Sequence, residues 1–356
     1  MPGEINLLRE LIAIPSISGQ ETDLAVFVEE TARRWGLDVV RNTHGVRVEV
    51  RGWGAGPTIV LASHLDVVPP GAGWTRDPFT PVIEGTRLYG RGSGDAKASV
   101  AAMLYAARDI VDSGGMDMGR LLVLLGYGEE TKNTSMGGAV EEAGEIDAAV
   151  IGEPTSLDFA IAQRGLLMVD LLAQGDQRHA AYADGEDGFT NAVQILARDL
   201  IKLDSAFEAR THPVLGKAMA TATMIEAGVS RNITPPVARA VLDIRSTPDW
   251  THEELAAELR AFLTSDVIVT SRRLTPCETP PGSRLLATAS RLRPAATHFG
   301  SPTCSDWVFF GDRDAIKCGP GTSRRSHTAD EYVDIPEVTA ARSFYGELVR
   351  AYLSGH

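Results

Sequence analysis

Segments with strand-like and helix-like patterns alternate through the first half of the chain, and this alternation limits the possible folds. Short apolar runs at 58–62 and 148–151 are typical of buried strands, whereas 21–35 and 98–111 have the apolar spacing of helices. Strands that alternate with helices predict an α/β domain with a mostly parallel sheet and helices on both faces. Ligands bind such sheets at the carboxyl ends of the strands. Further helices are predicted at 5–12 and 136–143, and further strands at 46–50 and 121–126.

The middle of the chain has a different order of elements. Strands are predicted at 166–173, 218–227, 238–246 and 267–271, and helices at 190–203 and 252–263. This β-α-β-β-α-β order predicts a small ferredoxin-like α+β domain. The α/β pattern resumes after Pro280-Pro281-Gly282. We therefore expect a main domain of residues 1–164 and 277–356, and an inserted domain of residues 165–276.

Composition excludes several classes of protein. The chain has 356 residues, and its formal net charge of −13 disfavours nucleic acid and anionic membranes as partners. No apolar run reaches the roughly 18 residues of a membrane helix, and no secretory signal is visible after Met1. Cys277, Cys304 and Cys318 form no CxxC motif, which disfavours a disulfide framework or a thiolate zinc site. We expect a cytoplasmic protein that acts on a small molecule.

Polar side chains follow several of the predicted strands in the first domain. An acidic residue in such a place could simply cap a helix or lie in a solvated loop. A histidine and several carboxylates at the same edge of one sheet instead favour a functional site. These residues are His64 and Asp66 after strand 58–62, Asp95 before helix 98–111, Glu129 and Glu130 after strand 121–126, and Glu153 after strand 148–151.

The side-chain types at this edge suit a pair of divalent metal ions. Imidazole nitrogen and carboxylate oxygen are ligands of zinc, cobalt and manganese. Asp95 could bridge two ions, with His64 and Glu153 completing the coordination of one. Glu130 could bind the other ion, to which His327 could add an imidazole late in the chain. The sequence therefore predicts two divalent ions per subunit, either zinc or else cobalt or manganese.

Two further carboxylates have predicted roles beside the metal ions. Asp66 could accept the second ring N–H of His64 and fix the tautomer of the imidazole. Glu129 could face the reacting atoms while Glu130 binds metal, and could act as a general base and then a general acid. Alternatively, Glu129 and Glu130 could be a solvated acidic pair.

The motifs SHLDVV, GRGSGDAK, GYGEET, GEPT and SHTADEY, in this order, resemble those of the M20 family of di-zinc amidohydrolases and peptidases. The resemblance extends over nearly the whole chain. It implies the same five metal ligands, with Asp95 bridging, Asp66 as the orienting carboxylate and Glu129 as the general base. It also implies that Glu153, where other members have aspartate, is typical of deacylases in the family.

The resemblance further implies that the inserted domain is a lid through which two chains form a homodimer. His179, in QRHAAYADGEDGFTNAV, would reach the active site of the partner subunit and polarise the scissile carbonyl. Asn232 in RNITP and Arg245 in LDIRSTP would hold the substrate. Arg245 could bind a carboxylate with its forked guanidinium, or could form a structural ion pair.

One segment bears on the substrate. Diaminopimelate desuccinylases usually have GGTSD, whereas this chain has FGSPTCSDW at 299–307. With CGPGTSRRSHTADEY, this segment most resembles acylornithine and acylcitrulline deacylases of arginine biosynthesis. Arg324 and Arg325 could bind a carboxylate of the acyl group or could be a solvated basic pair.

The main functional prediction is therefore metal-dependent hydrolysis of N-acetyl- or N-succinyl-ornithine or -citrulline. The products would be a short carboxylic acid and the free amino acid. The alternatives are a succinyl-diaminopimelate desuccinylase, a carrier-linked lysine or ornithine hydrolase, a dipeptidase or carboxypeptidase, and a catalytically silent binding homologue.

Overall fold

The chain divides into two compact units. The computed structural model describes residues 1–183 and 188–355. The first unit contains the described residues of Met1–Ile161, Thr279–Phe299 and Ser305–His356, and the second those of Ala162–Glu278 and Gly300–Cys304. The chain crosses between the units close to the predicted boundaries, 164/165 and 276/277, but the prediction does not include 300–304 in the second unit.

Eight α-helices lie within the described residues. They are α1 (Gly3–Ala13), α2 (Thr22–Arg34), α3 (Lys97–Asp112), α4 (Ser135–Ala143), α5 (Ala192–Lys202), α6 (His252–Phe262), α7 (Arg284–Leu292) and α8 (Ile335–Ser354). A capping box begins α6, because Thr251 Oγ1 accepts from the amide of Glu254 and the Glu254 carboxylate accepts from the amide of Thr251. Among residues 1–183 and 188–355, no helix has the length and apolar character needed to cross a membrane.

The described strands form three sheets. They are β1 (Asp38–Asn42), β2 (Gly45–Arg51), β3 (Gly54–His64), β4 (Val82–Glu84), β5 (Arg87–Tyr89), β6 (Met118–Gly126), β7 (Ala148–Ile151), β8 (Phe159–Gln163), β9 (Gly165–Gln174), β10 (Met219–Ala227), β11 (Val237–Ser246), β12 (Asp266–Leu274), β13 (Cys277–Glu278), β14 (His298–Ser301), β15 (Asp314–Lys317) and β16 (Tyr332–Asp334). The largest sheet has the order β1-β2-β6-β3-β7-β15-β8-β13, with β14 paired to β8. A small sheet joins β16, β5 and β4.

The centre of the largest sheet is parallel and covered on both faces. Strands β6, β3, β7 and β15 pair in parallel, whereas the flanking strands are antiparallel. Ile59 and Leu61 of β3 belong to the main apolar core, and Val60, on the opposite face, is equally buried. Helix α3 packs on β3 and β6 between α1 and α8, and α4 also packs on β6. The predicted α/β class is confirmed.

The second unit contains the predicted β-α-β-β-α-β order, here β9-α5-β10-β11-α6-β12. Its strands form one antiparallel sheet in the order β10-β11-β9-β12. The order is ferredoxin-like, because the first and third strands are central and the second and fourth are at the edges. Leu167, Val169 and Leu171 alternate into a separate core that α5 and α6 help to form.

The helices and strands predicted in the first half and in the middle of the chain are all present, with small changes at their ends. The sequence patterns did not predict several short strands, among them β4, β5 and β13. A strand of two or three residues cannot display a period of two, and it is stabilised by its pairing rather than by its own sequence.

The parallel strands bring distant loops to one edge of the sheet. His64, the last residue of β3, pairs in register with Gly126, the last residue of β6. Ala62 pairs with Ile151 at the end of β7. The loops that follow these three strands therefore begin side by side, and they carry Asp66, Glu129, Glu130 and Glu153.

Candidate metal centre

His64 is held in one tautomer at the end of β3. Its ring is buried, and Nδ1 lies 3.0 Å from the backbone oxygen of Asp66 and 3.4 Å from Asp66 Oδ1. Both neighbours are acceptors and favour a proton on Nδ1, which in the neutral ring leaves Nε2 with its lone pair. Nε2 is buried without a hydrogen-bond partner among the described residues. Such a nitrogen is suited to bind a metal ion.

Carboxylates surround this free nitrogen. Nε2 of His64 lies 3.4 Å from Asp95 Oδ1 and 3.8 Å from Glu153 Oε1. Ligand atoms of His64, Asp95 and Glu130 all lie within 4.8 Å of one another. The structure thus gathers carboxylates from three loops around one imidazole, as a metal site requires.

His327 lies on the other side of Asp95. Its Nε2 is 3.0 Å from the carboxylate of Glu130 and 3.8 Å from Asp95 Oδ2, whereas Oδ1 of Asp95 faces His64. Each oxygen of Asp95 therefore faces a different imidazole. This arrangement suits a carboxylate shared by two ions, and all five predicted ligands lie in this one cluster.

The charges of the cluster also fit a divalent cation. Removal from water, and then the negative charge of Asp95, raise the pKa of Glu153 to about 7. Burial alone would lower the pKa of His64, but the neighbouring carboxylates of Asp66 and Asp95 outweigh it and raise that pKa well above the ordinary value. The cluster therefore favours added positive charge, which a metal ion would supply. Nitrogen and oxygen ligands of this kind fit zinc, cobalt and manganese alike.

Glu129 lies in the same cluster, although its neighbour Glu130 faces His327. Its Oε1 accepts a hydrogen bond of 3.2 Å from Asn133 Nδ2. Burial, followed by the charge of Glu153, raises the pKa of Glu129 well above its ordinary value. A carboxyl group with a raised pKa holds a proton more readily than an ordinary glutamate, and a general base that later acts as an acid must hold the proton between the two steps.

Asp66 connects the imidazole to the loop that carries these glutamates. Its Oδ1 accepts from the amide of Glu129 at 3.0 Å, and its Oδ2 from the amide of Glu130 at 3.1 Å. The hydroxyl of Ser18 donates to Oδ2 at 2.6 Å. Burial would raise the pKa of Asp66, but His64 and these donors lower it to about 2. The carboxylate therefore stays charged and orients both His64 and the Glu129–Glu130 backbone.

Two acidic residues of the site were not predicted from the sequence. Asp306, at the end of FGSPTCSDW, is buried, and burial raises its pKa to about 8 against the effect of His64. Glu331, in SHTADEY, is buried beneath Asp95 and accepts hydrogen bonds from its loop. Both residues lie inside motifs that the sequence analysis quoted. An acidic residue within such a motif was the signal that could have identified them as part of the site.

The predicted residues of the second unit have exposed or locally paired side chains. His179 is exposed, and its Nδ1 accepts from the amide of Ala181 at 3.2 Å. Asn232, also exposed, lies next to it, because the backbone oxygen of Asn232 accepts from the amide of Ala180. Residues 184–187 of the stretch around His179 lie outside the described residues.

Arg245 forms a two-point ion pair with Asp243, at 2.7 and 3.0 Å. The structural ion pair considered for this arginine is therefore present. Arg325, in the first unit, donates to Asp334 at 3.2 Å and stacks over Tyr332, while Arg324 is exposed.

The fold and the strand-end cluster define a metallohydrolase of the α/β class. The sequence profile of peptidase family M20/M25/M40 matches residues 60–351. The chain belongs to this family, and the prediction of a metallohydrolase acting on linear amides is confirmed.

Among curated relatives, the succinyl-diaminopimelate desuccinylase of Stenotrophomonas maltophilia is 31% identical, over 99% of this chain and 100% of that protein. The enzyme of the same name from Methylorubrum populi is 29% identical, over 98% of each chain. These relatives carry the name of an alternative function in the sequence analysis, and not that of an acylornithine deacylase.

Solved structures show the same fold. Aminopeptidase PepT of Bacillus cereus has a TM-score of 0.82 at 18% identity, over 98% of each chain. A dinuclear metal-binding peptidase of the M20 family from Bacillus subtilis, the YXEP protein, has a TM-score of 0.75 at 15% identity, over 99% of this chain and 98% of that chain.

Proposed function

We propose that the chain hydrolyses the amide bond of an N-succinylated amino acid, with N-succinyl-diaminopimelate as the first substrate to test. The name shared by the relatives of 29% and 31% identity supports this substrate. The cluster of His64, Asp95 and Glu130 beside the carboxyl group of Glu129 is the observation that carries the reaction type.

His64 and Glu153 would hold one divalent ion, Glu130 and His327 the other, and Asp95 would contribute to both. Such ions polarise a carbonyl group and lower the pKa of water. The chain's own contribution is orientation: Asp66 keeps the His64 ring fixed and binds the backbone of the loop that carries the glutamates.

Glu129 would move the protons. Its carboxylate takes the proton of the attacking water while the C–O bond forms at the amide carbonyl. The protonated carboxyl group then gives this proton to the amide nitrogen as the C–N bond breaks, so the products are succinate and a free amine.

A second candidate substrate is N-acetyl- or N-succinyl-ornithine or -citrulline, in arginine biosynthesis. The segment FGSPTCSDW in place of GGTSD is the observation that favours it. The cationic side chains Arg324 and Arg325 follow in the same part of the chain. For either candidate, Asn232 and Arg245 would contact the substrate and the reaction would take place in the cytoplasm.

We also propose that the second unit pairs with a second copy of this chain. Strand β10 is the edge of its sheet, and all its residues except Ala220 are exposed. Met224 and Ile225 are 54% and 61% exposed. An apolar, unpaired edge strand is a template for pairing with another chain. Through such a dimer, His179 would reach the active site of the partner subunit and polarise the substrate carbonyl.

The test is release of free amine from a panel of substrates by zinc- or cobalt-loaded protein. The panel contains succinyl-diaminopimelate, N-acetyl- and N-succinyl-ornithine and -citrulline, and several dipeptides. We expect the fastest turnover with succinyl-diaminopimelate, and loss of it after chelation. Selective turnover of an ornithine or citrulline derivative would replace the first candidate by the second. Turnover of dipeptides alone would contradict both, as would a protein that binds two ions but leaves the whole panel intact.

A further inference from the structure

Glu331 is a buried carboxylate that binds the loop before α3 at four points. Its side chain is 1% exposed. One oxygen accepts hydrogen bonds from Gly94 N at 2.9 Å and Asp95 N at 3.1 Å. The other accepts from Gly92 N at 3.1 Å and Arg91 Nη1 at 2.5 Å. Both oxygens of the Glu331 carboxylate therefore accept hydrogen bonds from the short segment 91–95.

This segment determines where Asp95 lies. The amide that donates to Glu331 belongs to Asp95 itself, so the carboxylate fixes the backbone from which the Asp95 side chain extends. The two oxygens of Asp95 lie 3.4 Å from His64 Nε2 and 3.8 Å from His327 Nε2. A displacement of this backbone would change both distances together.

Glu331 also belongs to the loop that carries His327, four positions earlier in the chain. Its backbone oxygen accepts from the amide of Gly90 at 3.0 Å. The preceding residue, Asp330, accepts from the amide and the hydroxyl of Thr75 at 3.0 and 2.8 Å. One residue thus joins the loop of His327 to the loop of Asp95, although the two are distant in sequence.

We propose that Glu331 is a positioning residue of the metal centre, which sets the spacing between Asp95 and the two histidines. This inference rests on the proposed metal centre, and it assigns to Glu331 no contact with substrate or metal. Residues that orient metal ligands typically change metal affinity by about 10–100-fold when they are substituted.

Glu331→Gln is the informative substitution. Glutamine has nearly the same volume, but its amide NH₂ would oppose N–H donors on one side of the pocket. We expect the loop to shift and the affinity for divalent ions to fall by about 10–100-fold. Glu331→Asp keeps the charge with a shorter reach, and we expect it to recover part of the affinity.

Glu4 provides a matched control in the same unit. Its carboxylate is also buried and also pairs with an arginine, Arg342, at 2.6 Å, and it accepts from Thr339 Oγ1 at 2.7 Å. It joins α1 to α8 and contacts none of the proposed ligands. Glu4→Gln should lower the melting temperature but leave metal affinity unchanged.

The experiment is calorimetric titration of metal-stripped, full-length protein with Zn²⁺, together with the visible spectrum of the Co²⁺-loaded protein. We expect weaker binding and an altered Co²⁺ spectrum for Glu331→Gln, partial recovery for Glu331→Asp, and wild-type behaviour for Glu4→Gln. If Glu331→Gln does not fold, Glu331→Asp carries the comparison.

A folded Glu331→Gln protein with wild-type affinity and spectrum would overturn the positioning role. Equal loss of affinity in Glu4→Gln would do the same, because the effect would then be a general consequence of destabilisation. A wild-type protein that binds no divalent ion would instead contradict the proposed function, and this outcome is seen before any variant is compared.

Discussion

The two units hold their predicted functional residues in opposite ways. In the first unit, His64 is buried, Asp66 accepts three hydrogen bonds, and the Asp95 loop is bound by Glu331. In the second unit, His179 is exposed and Arg245 is paired with Asp243.

The difference shows where each site acquires its geometry. The first unit fixes its side chains before any substrate arrives, which is the preorganisation that a reacting centre requires. The histidine of the second unit is exposed, and its ring accepts a hydrogen bond from the amide of Ala181, two residues away. Its proposed role therefore depends on a second copy of the chain.

Glu129→Gln should cause the largest loss. Removing a general acid–base group costs about 10²–10⁴-fold in rate, so we expect kcat to fall by about that factor. Bound metal should remain at the wild-type level, because Glu129 is not a proposed ligand. Metal analysis and steady-state rates on the panel measure the two quantities. Glu141→Gln, exposed on α4, serves as the control, and near-normal turnover by Glu129→Gln would refute the proton-transfer role.

His179→Ala should reduce kcat by about 100-fold or more, as the loss of a group that polarises a carbonyl does. If the histidine comes from the partner subunit, mixing inactive His179→Ala and Glu129→Gln chains should restore activity. In each mixed dimer, one site would then have an intact Glu129 and an intact His179. An unchanged rate for His179→Ala would remove this residue from the mechanism. If mixing does not restore the lost activity, His179 acts on the active site of its own chain.

Ile225→Lys on β10 should shift the protein from dimer to monomer, because it places a charge on the apolar edge. Light scattering after size-exclusion chromatography measures the mass. Ile268→Lys is the matched control, since Ile268 is 47% exposed on β12, at the opposite edge of the same sheet. Dissociation by both substitutions, or by neither, would argue against β10 as the interface.

The smallest effect concerns His252, at the start of α6. Burial lowers its pKa, and its ring contacts the Ser246 hydroxyl and the backbone oxygen of Arg272. The unfolded chain therefore binds a proton more readily than the folded chain does. The contribution of His252 to the free energy of unfolding is therefore fully present above its unfolded pKa of about 6.5, and it decreases as the pH falls below that value.

Hydrogen exchange of the α6 peptides should accordingly speed up in the wild type as the pH is lowered through this range, after correction for intrinsic exchange rates. His252→Gln should make this acceleration smaller. Equal acceleration in both proteins would show that another group is responsible.

Much of the fold was predictable because its patterns are local. The apolar run at 58–62 and the helical spacing at 98–111 are properties of neighbouring residues, and they predicted β3 and α3. The ferredoxin-like order of the second unit followed from a succession of such patterns. The short strands β4, β5 and β13 could not be predicted, because their pairing partners supply the stability.

The cluster at the strand ends was predictable for a related reason. Parallel strands place their carboxyl ends at one edge, so His64, Glu130 and Glu153 could be expected together. The same rule does not say which oxygen faces which nitrogen. It also gave no indication of Asp306, whose position depends on packing of a segment from far along the chain.

Sequence patterns alone predict the class of fold, the edge of the sheet where the site lies and the chemical types of its proposed ligands. These follow from hydrophobic periodicity and from the side chains placed after each strand. The folded structure was needed to show that Asp66 binds the amides of both glutamates and that Glu331 binds the loop of Asp95. These contacts join residues far apart in sequence, and backbone amides carry no sequence signal, so the packed fold alone brings them together.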